Sequence, residues 1–279
     1  GGRAMSWRLL ARKDVGDAIR QYHLHAAVAL TVLLFAGTAY VTARTFRGEP
    51  AAPGAVAGAL ATLGTFLVPL LAVGFSQGVV VGMRERGDLK LLLGLPFSRR
   101  DVVLGSVAGR TAVVWASVLA GVLIGTLVGL ARGAGLAFDL LLIVTGMLAV
   151  LGAVFVAIAV GISSSVSTET RAGALAIGAF FLFVFQLWTQ IPRFLLWLVN
   201  GFAAPTTVPT WVHVLINCNP VLAAWNLLAT VLPGGAAFVA EMPETPPFYR
   251  ALPFAIAVLA AWIVGPMALG YRRFDRTDL

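Results

Sequence analysis

The sequence predicts an all-α membrane protein: six transmembrane helices, an N-terminal amphipathic helix in the interface, and an outer-side helical hairpin before the last span. Three observations carry this. Of 279 residues, 59% are hydrophobic and 11% charged, with mean hydropathy +0.91, whereas soluble chains carry about a quarter charged residues. Six apolar runs reach the roughly 18 residues that a bilayer crossing needs. The basic residues collect in alternate connections between those runs.

The first stretch, residues 1–22, is a cytoplasmic amphipathic helix. Trp7, Leu10, Ala11, Val15, Ala18, Ile19 and Tyr22 recur at helical spacing, while Arg8, Arg12, Lys13, Asp14, Asp17 and Arg20 fill the other face. Such a helix lies in the plane of a membrane surface. The membrane domain then occupies 23–271. Its spans are His23–Val41, Ala55–Met83, Val102–Ala131, Phe138–Ile162, Ala172–Thr189 and Ala251–Tyr271, and 272–279 form a charged tail. The first run follows about twenty polar residues and lacks a small-residue cleavage site, so no cleavable signal peptide is expected. Arg110, in the first turns of the third span, is expected to snorkel to the surface.

Orientation follows from the Lys and Arg count. With the N-terminus inside, fourteen basic residues lie on the cytoplasmic side: five in 1–22, five in 84–101, Arg171, and Arg272, Arg273 and Arg276. Arg44, Arg47, Arg132, Arg193 and Arg250 make five outside. The excess places both termini in the cytoplasm, in a cell membrane. The same bias accounts for the formal net charge of +8 without nucleic acid as a partner. In the outer segment 190–250, Trp211–Leu232 is apolar enough to compete as a seventh span. It carries His213, Asn217, Asn219, Pro220 and Asn226, however, and a seventh span would export the basic tail. It is therefore read as a re-entrant or interfacial hairpin, with Phe194–Val199 in the same interface. Gly105, Gly109, Gly121, Gly125 and Gly129 repeat at GxxxG spacing and are read as helix packing, since small residues let helices approach in lipid.

The chemistry of sites is thin. Cys218 is the only cysteine, so neither an intrachain disulfide nor a Cys-based metal site can form. His23 and His25 lack the H-E-x-x-H pattern, and Ser76 lies in the second span whereas His213 is placed outside, so no Ser–His pair forms on this topology. No catalytic residue, cofactor or metal ligand is assigned. The chain has no G-x-x-x-x-G-K-[ST] loop for nucleotide phosphates. Its spans carry essentially no carboxylate, which disfavours a proton- or sodium-coupled carrier. A secondary carrier or a membrane assembly scaffold is the alternative class. The scattered polar groups Thr31, Thr65, Ser76, Gln77, Thr145 and Gln186 name no substrate.

The stretch from Arg84 to Gly105 is the most informative. It mixes charge with leucine between two long apolar runs. Gly87 can break the second helix, Asp88 can cap a short helix bearing Leu89, Leu91, Leu92 and Leu93, and Gly94 and Pro96 can end it. Ser98-Arg-Arg-Asp101 then matches the capping signal that opens a helix. The prediction is helix, break, short helix, break, helix.

This run, RERGDLKLLLGLPFSRRDVVLG, resembles the corresponding loop of type-2 ATP-binding-cassette (ABC) transporter permeases. It is most similar to the prokaryotic subgroup that includes the permease of the nitrous-oxide-reductase maturation transporter. The six spans, the N-terminal helix and Asn219-Pro220-Val-Leu-Ala-Ala-Trp225 are similar as well. The resemblance implies an exporter permease that pairs with a second permease copy or paralogue and with separate ATPase subunits, which hold ATP and Mg. It implies a connecting helix at 1–22 and ATPase contact through loop 84–101. The expected contact residues there are Arg84, Glu85, Arg86, Asp88, Lys90, Leu91, Leu92, Pro96, Ser98, Arg99, Arg100 and Asp101. A second contact is implied in loop 163–171, through Ser167, Thr168, Glu169 and Arg171.

Overall fold

The computed structural model describes residues 3–20, 22–45, 54–94, 97–135, 137–203, 205, 207–231 and 245–276. The expected loop through Arg47, Glu49, Pro50 and Pro53, and the residues Leu95 and Pro96, lie outside this set. So do 232–244 of the outer segment and the side chains of Lys90 and Leu93. The described residues form helices and turns, with no strand among them. In order these are α1 (Arg3–Ile19), α2 (Tyr22–Thr45), α3 (Ala55–Ser76), α4 (Val79–Glu85), α5 (Asp88–Gly94), α6 (Arg99–Ala131), α7 (Phe138–Ser165), α8 (Glu169–Val184), α9 (Leu187–Val199), α10 (Thr210–Asn217), α11 (Pro220–Val231), a 3-10 turn at Phe248–Arg250, and α12 (Leu252–Asp275).

Five spans among the described residues are long and apolar enough to cross a membrane: α2, α3 with α4, α6, α7 and α12. Two bent pairs, α8–α9 at 71° and α10–α11 at 93°, bring the number to seven if each crosses. The chain is thus a multi-pass membrane protein. The expected second span is interrupted at Gln77–Gly78, and the expected fifth at Phe185–Gln186. Within the expected Trp211–Leu232 segment, the described part is bent at about a right angle between α10 and α11 and does not run as one straight helix.

Packing centres on α3 and α7. Leu60 and Val68 of α3 and Leu148, Leu151 and Phe155 of α7 are fully buried. The glycine row of α6 is packing, as its spacing predicts. A Cβ on Gly121 would lie 3.3 Å from the Phe35 ring, and one on Gly129 would lie 3.3 Å from Val56. Its N-terminal members Gly105 and Gly109 seat Leu10 and Asp14 of α1. Sequence spacing did not reveal the tightest crossing, that of α7 with α12. There a Cβ on Gly270 would lie 2.6 Å from the carbonyl oxygen of Gly161, and one on Gly161 would strike Pro266.

The first helix is fastened through part of its length. Leu10 is buried and Trp7, Ala11 and Asp14 are half-buried against α6, whereas Ile19 and Tyr22 of the expected apolar face are exposed. Arg110 donates to Asp14 at 2.9 Å, with the two side chains 13% and 16% exposed. The arginine expected to snorkel therefore pairs with α1. Burial raises the pKa of Asp14 above the ordinary 3.8, outweighing the opposing pull of Arg110. The folded state then holds this proton more firmly than the unfolded chain. The group's contribution to stability is fully present below 3.8 and declines as pH rises through the raised pKa.

At the opposite end, Asn219 joins the two bent pairs. It is fully buried; its amide donates to the carbonyl of Phe183 at 3.0 Å and to Oε1 of Gln186 at 3.2 Å. Its Oδ1 accepts from the backbone N–H of Val221 at 2.8 Å, at the start of α11. Gln186 has φ 59°, a left-handed conformation that non-glycine residues seldom adopt. Trp188 donates to the carbonyl of Leu215 at 2.7 Å and Trp262 to that of Cys218 at 2.8 Å, so α9 and α12 grip the same turn.

Gly161→Ala should lower stability by about 1–3 kcal/mol through overpacking. Gly178→Ala, with nothing within 4 Å of its Cβ, should be neutral or stabilising by under ~1 kcal/mol; thermal unfolding in detergent distinguishes them. Asp14→Leu should cost about 3 kcal/mol by stranding the buried Arg110, and the double variant Asp14→Leu/Arg110→Met should recover most of it. A double variant no more stable than the single one contradicts the pairing.

Candidate coupling surface

The surface is built from the break in the second span outward. At Gln77–Gly78 the helix stops and restarts as α4, whose first N–H groups have no partner in the preceding turn. Gly78 has no side chain to cap them. The hydroxyl of Ser163, near the end of α7, accepts from both Val80 N–H and Val81 N–H at 3.1 Å. Its neighbours Ser164 and Ser165 bond their own helix, to the carbonyls of Val160 and Gly161. A serine triplet closing an apolar helix was the only sequence sign of this contact.

Below the break, α4 delivers three consecutive charged residues to the second loop. Arg84 donates to the carbonyl of Val166. Glu85 accepts from the backbone N–H of Glu169 at 3.1 Å, so a carboxylate meets the positive N-terminus of α8. Arg86 stands 3.4 Å from Glu169 and 3.3 Å from Asp88. Gly82 leaves the room for this, since a Cβ there would strike the Glu169 carboxylate. Gly87, with φ 80°, then turns the chain into α5. Asp88 is the first residue of α5 itself, bonded to Arg86.

The Arg86 pairs are more than half exposed on one partner and about half on the other. Pairs of that kind are worth about 0–1 kcal/mol, so they set geometry more than stability. The firmer anchor is Leu89, fully buried, while Leu91 on the same short helix is 75% exposed and Leu92 half-buried. α5 is thereby held on one side and presents leucine on the other.

The expected contact residues fall in different places. Glu85 and Arg86 meet Glu169, Arg84 meets Val166, and Asp88 pairs with Arg86. In the second loop, Thr168 caps α8 by accepting from Arg171 N–H at 3.4 Å, and Ser167 accepts from the Arg171 guanidinium at 3.3 Å. Ser98, Arg99, Arg100 and Asp101 belong to the start of α6. Ser98 and Asp101 form the predicted capping box: Asp101 accepts from Ser98 N–H at 3.0 Å, and the Ser98 hydroxyl accepts from Asp101 N–H at 3.2 Å. Arg99 turns to α12, donating to the carbonyl of Phe274 and lying 5.3 Å over its ring. Arg99 therefore ties α6 to α12, and Arg100 is the exposed member of the pair.

Behind the surface lies a cavity of about 410 Å³, lined by Asp14, Gln77, Arg86, Arg110 and Glu169 among others. Among the described residues, no group of three His, Cys, Asp or Glu side chains is placed to hold a metal ion. His213 stacks on Tyr249 with centroids 5.3 Å apart, and Ser76 is buried in α3.

Residues 8–279 match the family model of ABC-2 family transporter proteins. The chain is 31% identical over 273 residues to the probable ABC transporter permease protein NosY of Stutzerimonas stutzeri, covering 96% of this chain and 97% of that one. It is 30% identical over 276 residues to the NosY of Pseudomonas aeruginosa, covering 97% and 98%. A match across nearly the whole length, on an all-helical multi-pass scaffold, establishes that this chain belongs to the ABC-2 family of transporter proteins.

Proposed function

We propose that the chain is the permease subunit of an ATP-driven exporter in a cell membrane. Six spans place both termini in the cytoplasm, with the α10–α11 bend kept on the outer face. Separate ATPase subunits, holding ATP and Mg, dock on loops 84–101 and 163–171, and a second permease copy or paralogue completes the pathway. The observation that carries this reading is the wiring of the two loops: Glu85 and Arg86 of one meet Glu169 of the other. In a chain without a phosphate-binding loop, such a joined surface lets a docked motor move two spans together. Leu91 is the apolar contact such a partner would cover, and α1 stays attached to α6 through Asp14 and Arg110.

Co-purification tests the partnership: tagged chain should retain an ATPase, and Leu91→Asp should lower that retention. Arg86→Glu or Glu169→Arg alone should reduce transport per ATP hydrolysed, and the double reversal should restore part of it. A chain that retains no ATPase, or a coupling ratio unmoved by either single reversal, contradicts the proposal.

A further inference from the structure

A groove of about 340 Å³ runs between α6 and α12 at the end of the bundle that carries α1 and α5. Its walls are Val103 and Leu104 on one side and Ile263, Val264, Met267 and Ala268 on the other; Arg100 and Tyr271 also line it. From Ile263 to Tyr271 it follows two turns of α12, about 12 Å at 1.5 Å per residue. Charge is confined to one end: Arg100 is the single charged residue lining it, and no described residue forms an ion pair with Arg100. The remainder is apolar and open, with Val264 62% exposed and Val103 buried as its floor.

The surroundings reinforce the asymmetry. Within 99–101 and 272–276 there are five arginines and two aspartates. One of those aspartates, Asp101, is engaged by the Ser98 capping box. The N-terminus of α6, a helix of 33 residues, adds partial positive charge at the same place. An apolar slot between two spans with a cationic rim matches one ligand shape: a negatively charged head at the surface and an acyl chain lying inward.

We propose that this groove binds an anionic phospholipid, with its phosphate at Arg100 and Tyr271 and one acyl chain along Val264, Met267 and Ala268. The site shares Arg100 with the proposed docking loop 84–101 and otherwise lies along α6 and α12. Arg99 keeps the groove in register by tying the two helices together at Phe274.

The test uses full-length chain in nanodiscs of mixed phosphatidylglycerol and phosphatidylcholine, followed by native mass spectrometry of retained lipid. The wild-type chain should retain phosphatidylglycerol over phosphatidylcholine. Arg100→Gln should weaken that preference about fivefold, the loss expected for one arginine at an anionic headgroup. Arg100→Lys should keep much of it, which separates charge from misfolding. Ala268→Trp, which fills the slot, should lower retention of both lipids. Equal retention of the two lipids by the wild type overturns the proposal, as does displacement by glycerol phosphate alone. A Cys218→Ser/Ala268→Cys variant that cross-links to a second copy in the membrane would also overturn it, by assigning the groove to a dimer contact.

Discussion

Within a bilayer every backbone polar group must be satisfied by the protein itself, and this requirement governs where the helices can break. The chain breaks two of its apolar segments, at Gln77–Gly78 and at Phe185–Gln186. Each break is repaired from far away in sequence. Ser163 accepts the stranded N–H groups of Val80 and Val81, and the Asn219 amide takes the Phe183 carbonyl and the Gln186 side chain. A buried backbone group left without a partner costs about 1–3 kcal/mol. The two repairs thus outweigh the exposed ion pairs that decorate the surface.

Those repairs fix what the two ends can do. At the end carrying α1 and α5, Ser163 binds α7 to α4, so the loops at either side are aligned before any charge pairs form. Arg84, Glu85 and Arg86 then close the gap to Val166 and Glu169. At the other end, Asn219 and the Trp188 and Trp262 hydrogen bonds gather α8 through α12 around one turn. Beside Ser163, the bare contact of Gly161 with Gly270 and Pro266 lets α12 lie directly on α7. The buried length of α7 connects the two ends.

Much of this was legible in the sequence, and the reasons differ by feature. Span positions follow from apolar length, and the start of α6 from Ser98 and Asp101, because both signals are local. The glycine row of α6 was readable because its period is set within one helix. The breaks were not, because Gln77–Gly78 and Gln186 depend on partners more than thirty residues away. Nothing local marks Gln186 for a left-handed conformation. A mixture of charge and leucine marks residues 84–88 in the sequence, whereas nothing marks the inward turn of Arg99 toward Phe274, since adjacent arginines look alike until the helix sets their directions. The crossing of Gly161 with Gly270 was hidden for the same reason: its two halves lie in different helices.

Residues 84–86 are bonded to the 163–171 loop, so α5 and α8 should hold a fixed separation. Spin labels at Leu91→Cys and Thr170→Cys, both exposed positions, in a Cys218→Ser background report the distance between α5 and α8. Measured by pulsed dipolar spectroscopy in the assembled transporter, that distance should stay single and narrow, with the same mean with and without ATP. A mean that shifts on ATP binding, or a distribution that splits in two, would show that the loops move separately.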